Sequence, residues 1–465
     1  MSRLRAELAV EIDLPGRPTF VYSDATERPA PVQLYGMFRG CVSVDNVCTQ
    51  FARRLLAAIP DANVHGYTGR PFFEPDLEAH AFIDPAAPIG IFYGTPDTVP
   101  ERLFAHETAV GGFVCESDAI PPHWVRICNR LDLVLVPSRF CRAAFRASGV
   151  TTPVLVVPHG LEPEYRPRGG KRRREPFVFY ATANTNTVVR KGMTELVRSF
   201  RRAFGERPDV RLRLRVGRSG ALLETLAECD VRPDDPTIRV EPPEPLSTAE
   251  FAGLYSRVHC TVHPSKGEGF GLIPLQSIAC ETPVIAPCAT GMADYLSPDN
   301  AMVLRTAGWT DAAQVYYGTG GYAEIDQDHL VDLLRHAEAN WEAEYARVRA
   351  VAPSIREAYT WENALSGIMA LLLELRGTAD PVARREAIDA WAIDAGVGAV
   401  ERPPRSDGGR EGSRRIERAG YDPAAAELPE IDNLEAVDIA RVRASGDRAR
   451  WGRSLDRLAP EAWAV

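Results

Sequence analysis

The run His263-Pro264-Ser265-Lys266-Gly267-Glu268-Gly269-Phe270-Gly271-Leu272-Ile273-Pro274-Leu275-Gln276 lies between two apolar segments. Val258-His259-Cys260-Thr261-Val262 precedes it, and Pro283-Val284-Ile285-Ala286 follows after Ser277-Ile278-Ala279-Cys280-Glu281-Thr282. Both segments have the β-branched, apolar composition of buried strands. Between them, Ile273 to Cys280 reads as a short apolar helix. Pro274 suits its first turn, where a missing N–H removes no helical bond. The unit is thus strand, glycine loop, helix, strand. Its glycines let backbone N–H groups approach a ligand, and the helix start adds partial positive charge, so the unit favours an anion such as phosphate. A glycine-rich turn alone also serves simple tight turning in many α/β proteins.

Around this unit the chain runs to 465 residues, too many for one ordinary core, so two domains with additions are expected. Hydrophobic content of 45% and charged content of 25% are ordinary for a globular protein. A net charge of -9 gives no general attraction to nucleic acid or to an anionic membrane. The nine cysteines form no CxxC pair and no zinc-type spacing, and most sit inside apolar runs. They read as reduced, buried thiols of a cytoplasmic protein, not as a disulfide framework. Met1 to Glu7 has no long apolar core, so no signal peptide is expected. No apolar run approaches the roughly 20 residues that cross a bilayer.

The full string is more specific than its glycines. Pro264-Ser265, Glu268-Gly269-Phe270-Gly271-Leu272, Ala279-Cys280 and Thr282-Pro283-Val284-Ile285 together resemble the donor-binding segment of retaining glycosyltransferases of the GT-B fold, family 4. The resemblance covers roughly residues 31 to 376 and is strongest from Lys191 to Leu296. It implies an α/β chain of two Rossmann-like, doubly wound domains facing a cleft. It also implies transfer of a hexosyl-type sugar from a nucleotide diphosphate sugar to an acceptor hydroxyl. In that family an acidic residue before Phe-Gly contacts the donor sugar hydroxyls, a role that falls here to Glu268, with Gly269, Phe270, Gly271 and Leu272 completing the loop. A second glutamate eight positions on usually binds the nucleotide ribose, and Gln276 stands there instead. An amide donates as well as accepts and carries no charge, which bears on nucleotide affinity or identity more than on fold.

Arg190-Lys191-Gly192 resembles the same family's phosphate clamp. Lys191 supplies a compact cation as charge grows on the departing diphosphate. Some relatives carry an arginine six positions before the lysine; Thr185 stands there, and Arg190 is either its substitute or an exposed helix-start residue. Together these cations would replace the divalent ion that other glycosyltransferases need, and no Asp-x-Asp signal lies at a strand end. No metal and no cofactor beyond the donor is therefore expected.

In chain order, residues 1–30 read as an extension with a small hairpin, split by Pro15-Gly16. Residues 31–165 form the acceptor-side domain. Its expected strands lie at Pro31–Phe38, Pro88–Gly94, Ala109–Val114, Leu131–Ser138 and Val154–Val157, with helices at Asn46–Ala58, Ile120–Arg130 and Arg139–Ser148. The loop from Gly36 to Gly40 is placed near the donor phosphates by the resemblance; a plain strand-to-helix turn is the alternative. Glu116 and Asp118 stand at a strand's carboxyl end, where open α/β sheets build their sites. Glu116 is alternatively a helix cap or surface ion pair, and Asp118 alternatively the N-cap of the following helix. His106 and His123 are less well placed, and His159 belongs either to the cleft or to the hinge.

Residues 166–176 contain Lys171-Arg172-Arg173-Arg174, a basic run without interleaved aromatics, read as a solvated linker over a nucleic-acid patch. Residues 177–360 form the donor-binding domain, closing on a last strand at Ala301–Arg305 and a helix at Gln327–Arg349. A helix at 361–376 crosses back to the first domain. From Gly377 to Val465 the pattern dissolves and low order is expected. The expected partners are a nucleotide sugar and a hydroxyl acceptor, namely a glycan, a lipid or a small molecule before a nucleic acid. Rival functions on this fold are a phosphorylase, an epimerase, and a catalytically degenerate sugar-nucleotide-binding or scaffold protein.

Overall fold

The computed structural model describes residues 27–38, 43–66, 75–170, 172–173, 175–217, 219–242, 246–312 and 317–394. The hairpin expected near the start, Gly40, and the chain beyond Asp394 lie outside them.

Short apolar runs become the strands of two parallel sheets. The first contains β1 (Val32–Gly36), β2 (Asn63–Gly66), β3 (Ile89–Tyr93), β4 (Thr108–Gly112), β5 (Leu133–Val136) and β6 (Val154–Val156), in the order β2-β1-β3-β4-β5-β6. β1, β3, β4 and β5 are buried along their whole length, which is why they read as continuous apolar runs and do not alternate. The second contains β7 (Phe177–Ala183), β8 (Val210–Val216), β9 (Ile238–Glu241), β10 (Cys260–Val262), β11 (Val284–Pro287) and β12 (Met302–Leu304), in the order β12-β11-β10-β7-β8-β9. Here β7 and β10 are neighbours in space although β8 and β9 come between them in the chain. The winding reverses between them, and the loops at their carboxyl ends diverge around a crevice. Arg190 and Lys191 follow β7; His263 to Gly271 follow β10. The topology alone therefore brings the two segments to one point.

Three elements depart from the sequence expectation. The segment after β12 continues into an antiparallel hairpin, β13 (Thr306–Asp311) and β14 (Gly321–Ile325), which was not expected. The helix expected over Gln327–Arg349 is two, Gln327–Ala339 and Trp341–Ala358, broken at Asn340. There Trp341 turns inward and its indole N–H donates to the His259 carbonyl at 2.9 Å. The tail is ordered further than expected: Pro381–Asp394 is a helix, with Ile388 and Ala392 in the first domain's core. Arg384 on that helix is buried and hydrogen-bonds the carbonyls of Leu375 and Thr378 and the carboxylate of Glu107. The helix Trp361–Gly377 also packs on the first domain. Trp361, Leu365, Ile368 and Leu372 join its core, and Glu362 pairs with Arg54 at 2.5 Å.

Candidate active site

Gly192 explains how Lys191 is aimed. It takes a left-handed conformation (φ 67°) before the helix Met193–Phe204, and a Cβ there would lie 2.2 Å from the Pro264 carbonyl oxygen. The chain thus turns tightly against the segment after β10. Arg190 and Lys266 are joined by a backbone bond of 2.8 Å, and the Arg190 guanidinium donates to the Gly267 carbonyl at 2.7 Å. Lys191 Nζ then reaches Glu268 Oε1 at 2.5 Å. The same oxygen lies 2.9 Å from His263 Nε2, and Arg190 Nη1 stands 3.8 Å from Glu268 Oε2.

The backbone of Glu268 is fixed as firmly as its side chain. Its N–H donates to Thr290 Oγ1 at 3.1 Å and its carbonyl accepts from Gly291 N–H at 2.8 Å. Thr290 has φ 52°, a left-handed conformation that a β-branched residue rarely adopts, and such strain is retained where the surroundings enforce it.

Glu268 is 6% exposed, and burial alone would raise its pKa. Lys191, His263 and Arg190 outweigh that and hold the carboxyl well below the usual range, so it is ionised. Burial lowers the His263 pKa, against the pull of Glu268, and the neutral ring places its proton on Nε2, facing the carboxylate. Burial also draws the Lys191 ammonium down, against the opposing pull of Glu268.

Beside this cluster begins the helix Leu272–Ala279, with Gly271 as its N-cap at φ 89° and no acidic residue in its first turn. Among the described residues, the N–H groups of Gly269, Phe270 and Gly271 have no hydrogen-bond acceptor. Cations, unpaired amides and a helix N-terminus converge where a phosphate group can be held.

The other residues singled out by sequence are distributed unevenly. Glu116 lies across the cleft with its carboxylate 3.9 Å from Arg190 Nη2. Asp118 stands apart from this cluster. It is exposed, its N–H donates to the Gly321 carbonyl at 3.0 Å, and Gly321 N–H donates to Asp118 Oδ1 at 2.7 Å. It does not cap the next helix either, because Pro121 holds that position. Gln276 is buried, with Oε1 accepting from the Tyr255 hydroxyl at 3.0 Å. Phe270 is a core residue, packed against His159, Tyr295 and Tyr359. Leu272 is partly buried against the same cluster. His159 is buried between Phe270 and Trp361, with Nε2 3.3 Å from the Tyr93 hydroxyl. His106 is bonded to Tyr35 and the Ala87 carbonyl, and His123 to Asp97.

Gly267 and Gly269 have a use that sequence did not suggest. A Cβ on Gly267 would lie 2.1 Å from the Glu116 carbonyl oxygen, and one on Gly269 2.1 Å from Val114 Cγ1. Both glycines admit the first domain against the loop. His263 and Thr290 were also missed; His263 directly follows β10, five residues before Glu268, which is a usable signal, whereas Thr290 comes from a separate loop.

Residues 130–368 match the family model described as family 4 glycosyltransferase in conflict systems. The chain belongs to that family. Among curated relatives, the D-inositol 3-phosphate glycosyltransferase of Thermobispora bispora is 32% identical over 166 residues, covering 32% of this chain and 36% of the relative. That of Kineococcus radiotolerans is 36% identical over 117 residues, covering 23% and 26%. The chain thus spans well under half the length of these relatives. Sucrose-phosphate synthase from Thermosynechococcus elongatus superposes with a TM-score of 0.54 at 15% identity, over 75% of this chain and all of that one. HepE of Anabaena, solved with UDP, superposes with a TM-score of 0.52 at 13% identity, over 74% of this chain and 100% of that one. These likenesses show that this family member has the GT-B fold, two Rossmann-like domains set face to face. No helix among the described residues is long and apolar enough to cross a membrane.

Proposed function

We propose that the chain transfers a sugar from a nucleotide diphosphate sugar to an acceptor hydroxyl, with retention of anomeric configuration. The observation that carries this reading is the 2.5 Å contact between Lys191 and Glu268, made from loops on either side of the sheet's winding reversal. The diphosphate lies against the start of the helix Leu272–Ala279, where the loop amides and Lys191 take its charge, while the Arg190 guanidinium stays on the Gly267 carbonyl between Glu116 and Glu268. Lys191 leaves Glu268 for the phosphate, and Glu268, held ionised, accepts from the sugar hydroxyls. The acceptor oxygen bonds to the anomeric carbon on the face the diphosphate leaves. The carbon–oxygen bond to phosphate breaks, and the acceptor proton passes to the departing phosphate oxygen. No protein nucleophile is needed, and rate comes from positioning and from preorganised charge.

The curated relatives act on inositol phosphate and a neighbour was solved with UDP, which supports the donor class and leaves this chain's acceptor open. Gln276 favours a second reading, that of a protein which binds a sugar nucleotide without turnover, because its side-chain oxygen is committed to Tyr255. One experiment separates them. Purified protein is screened by thermal shift against UDP, GDP, ADP and TDP sugars, since a ligand of the folded state raises the melting point. The donor found is then assayed with and without acceptors. Acceptor-dependent turnover that Glu268→Ala abolishes supports the transferase; a melting shift without turnover supports the binder; neither effect with any donor contradicts both.

A further inference from the structure

The hairpin of β13 and β14 grows out of the second domain, yet Ala312, Tyr317 and Tyr322 belong to the first domain's core. It reaches the turn at the carboxyl end of β4. The Tyr317 ring lies 4.7 Å from that of Trp124. Its hydroxyl accepts the N–H of Glu116 at 2.8 Å and the N–H of Ser117 at 2.9 Å, with Ser117 Oγ 2.7 Å away. One phenol oxygen thereby fixes two consecutive peptide units of the opposite domain. Asp118 and Gly321 clasp one another just beyond, and a Cβ on Gly320 would lie 2.8 Å from the Ala119 nitrogen. The other strand of the contact runs to the glycine loop, where Ala323 N–H donates to the Lys266 carbonyl at 2.9 Å. The hairpin therefore holds both the turn carrying Glu116 and the loop carrying Glu268.

We propose that Tyr317 is a positioning residue for sugar transfer: its hydroxyl sets the Glu116–Ser117 turn so that the Glu116 carboxylate faces Arg190. The proposal rests on the transferase reading above. Glu116 draws on Arg190 from one side while Glu268 stands 3.8 Å away on the other. Without the phenol oxygen, the buried amide of Ser117 and the half-buried amide of Glu116 lose this acceptor and the turn relaxes to find another. Arg190 then closes on Glu268 and competes with the sugar hydroxyls for that carboxylate. The diphosphate contacts, which belong to Lys191 and the helix start, are untouched. The loss therefore falls on turnover and spares nucleotide affinity.

Tyr317→Phe isolates the hydroxyl, because the ring stays on Trp124. UDP affinity is measured by calorimetry, and UDP-glucose turnover for wild type, Tyr317→Phe, Glu116→Gln and the double variant. The expected result is UDP affinity within about threefold of wild type, kcat at least about tenfold lower in each single variant, and a double variant no more than about threefold below the worse single. Full kcat in Tyr317→Phe, or single losses that multiply in the double variant, overturns the proposal. Amide exchange of the peptide containing Glu116 and Ser117 gives a second readout that needs no turnover. About tenfold faster exchange there in Tyr317→Phe, with the rest of the chain unchanged, is expected, and unchanged exchange overturns the positioning role. A wild type that turns over none of the UDP, GDP, ADP and TDP sugars but shows this exchange difference sinks the transferase reading and leaves the Tyr317 contact standing.

Discussion

Glu268 and Lys191 form a buried pair, so the two obvious substitutions are unequal. Lys191→Met removes the cation and strands a carboxylate that only His263 and Arg190 still face. Breaking a buried pair from one side costs about 3–5 kcal/mol, so this variant is expected to lose about 3 kcal/mol in denaturant unfolding. Glu268→Gln strands the Lys191 ammonium instead, but that side chain is the more exposed of the two and its burial already favours loss of the proton, so the variant is expected to lose less than about half of that. Its kcat/KM on the donor falls by about 100-fold or more, the scale on which a preorganised polar partner of a transition state acts. Gly267→Ala acts through space. The added Cβ meets the Glu116 carbonyl at 2.1 Å, so the domains separate or the loop shifts. A larger radius of gyration by solution scattering, with turnover lost and secondary structure retained, is the expected outcome. Glu268 and Lys191 were legible because each sits in its own contiguous, chemically unusual string, His263–Gln276 and Arg190-Lys191-Gly192. Thr290 and Tyr317 were not legible, since each acts from a loop that only the folded chain brings near.

At the scale of elements, the strands were readable where apolar residues set a pattern, as in Leu133–Val136, and unreadable where none does. Every residue of Thr306–Asp311 is exposed or partly so, including Trp309, so the hairpin carries no apolar alternation to detect. β2 is a four-residue strand, Asn63–Gly66, too short and too polar to register. The helix Pro381–Asp394 has a mean composition near neutral, and Arg384 sits buried where a hydrophobic residue would have marked the inner face. Its packing nevertheless contributes to the first domain. Ile388→Ala is expected to cost about 2–4 kcal/mol, read as a lower denaturation midpoint, because the site is fully buried. No change in midpoint shows that this helix leaves the domain's stability alone.

For the molecule as a whole, histidines buried without charge contribute to acid sensitivity, beside carboxylates such as Glu268 that are held ionised. Burial lowers His159 to about 3, and burial with the nearby Arg102 lowers His65 to about 4. Both folded values lie below the unfolded one near 6.5, so each histidine favours the folded state above about pH 6.5. That contribution is lost as pH falls toward the folded values, at about 1.4 kcal/mol per pH unit for each. Between pH 7 and pH 5, wild type is expected to lose about 2 kcal/mol more than His159→Gln; equal losses contradict the assignment.

On the function proposed above, the two sheets, their facing loops and the hairpin across them serve one arrangement, a sugar nucleotide held at Glu268 and Lys191. Calorimetric titration of UDP and of its sugar conjugate into wild type, Lys191→Gln and Glu268→Gln tests it most directly. Lys191→Gln is expected to weaken both ligands by about tenfold or more, while Glu268→Gln weakens the conjugate and leaves bare UDP within about threefold. Both variants binding both ligands as wild type does would contradict it.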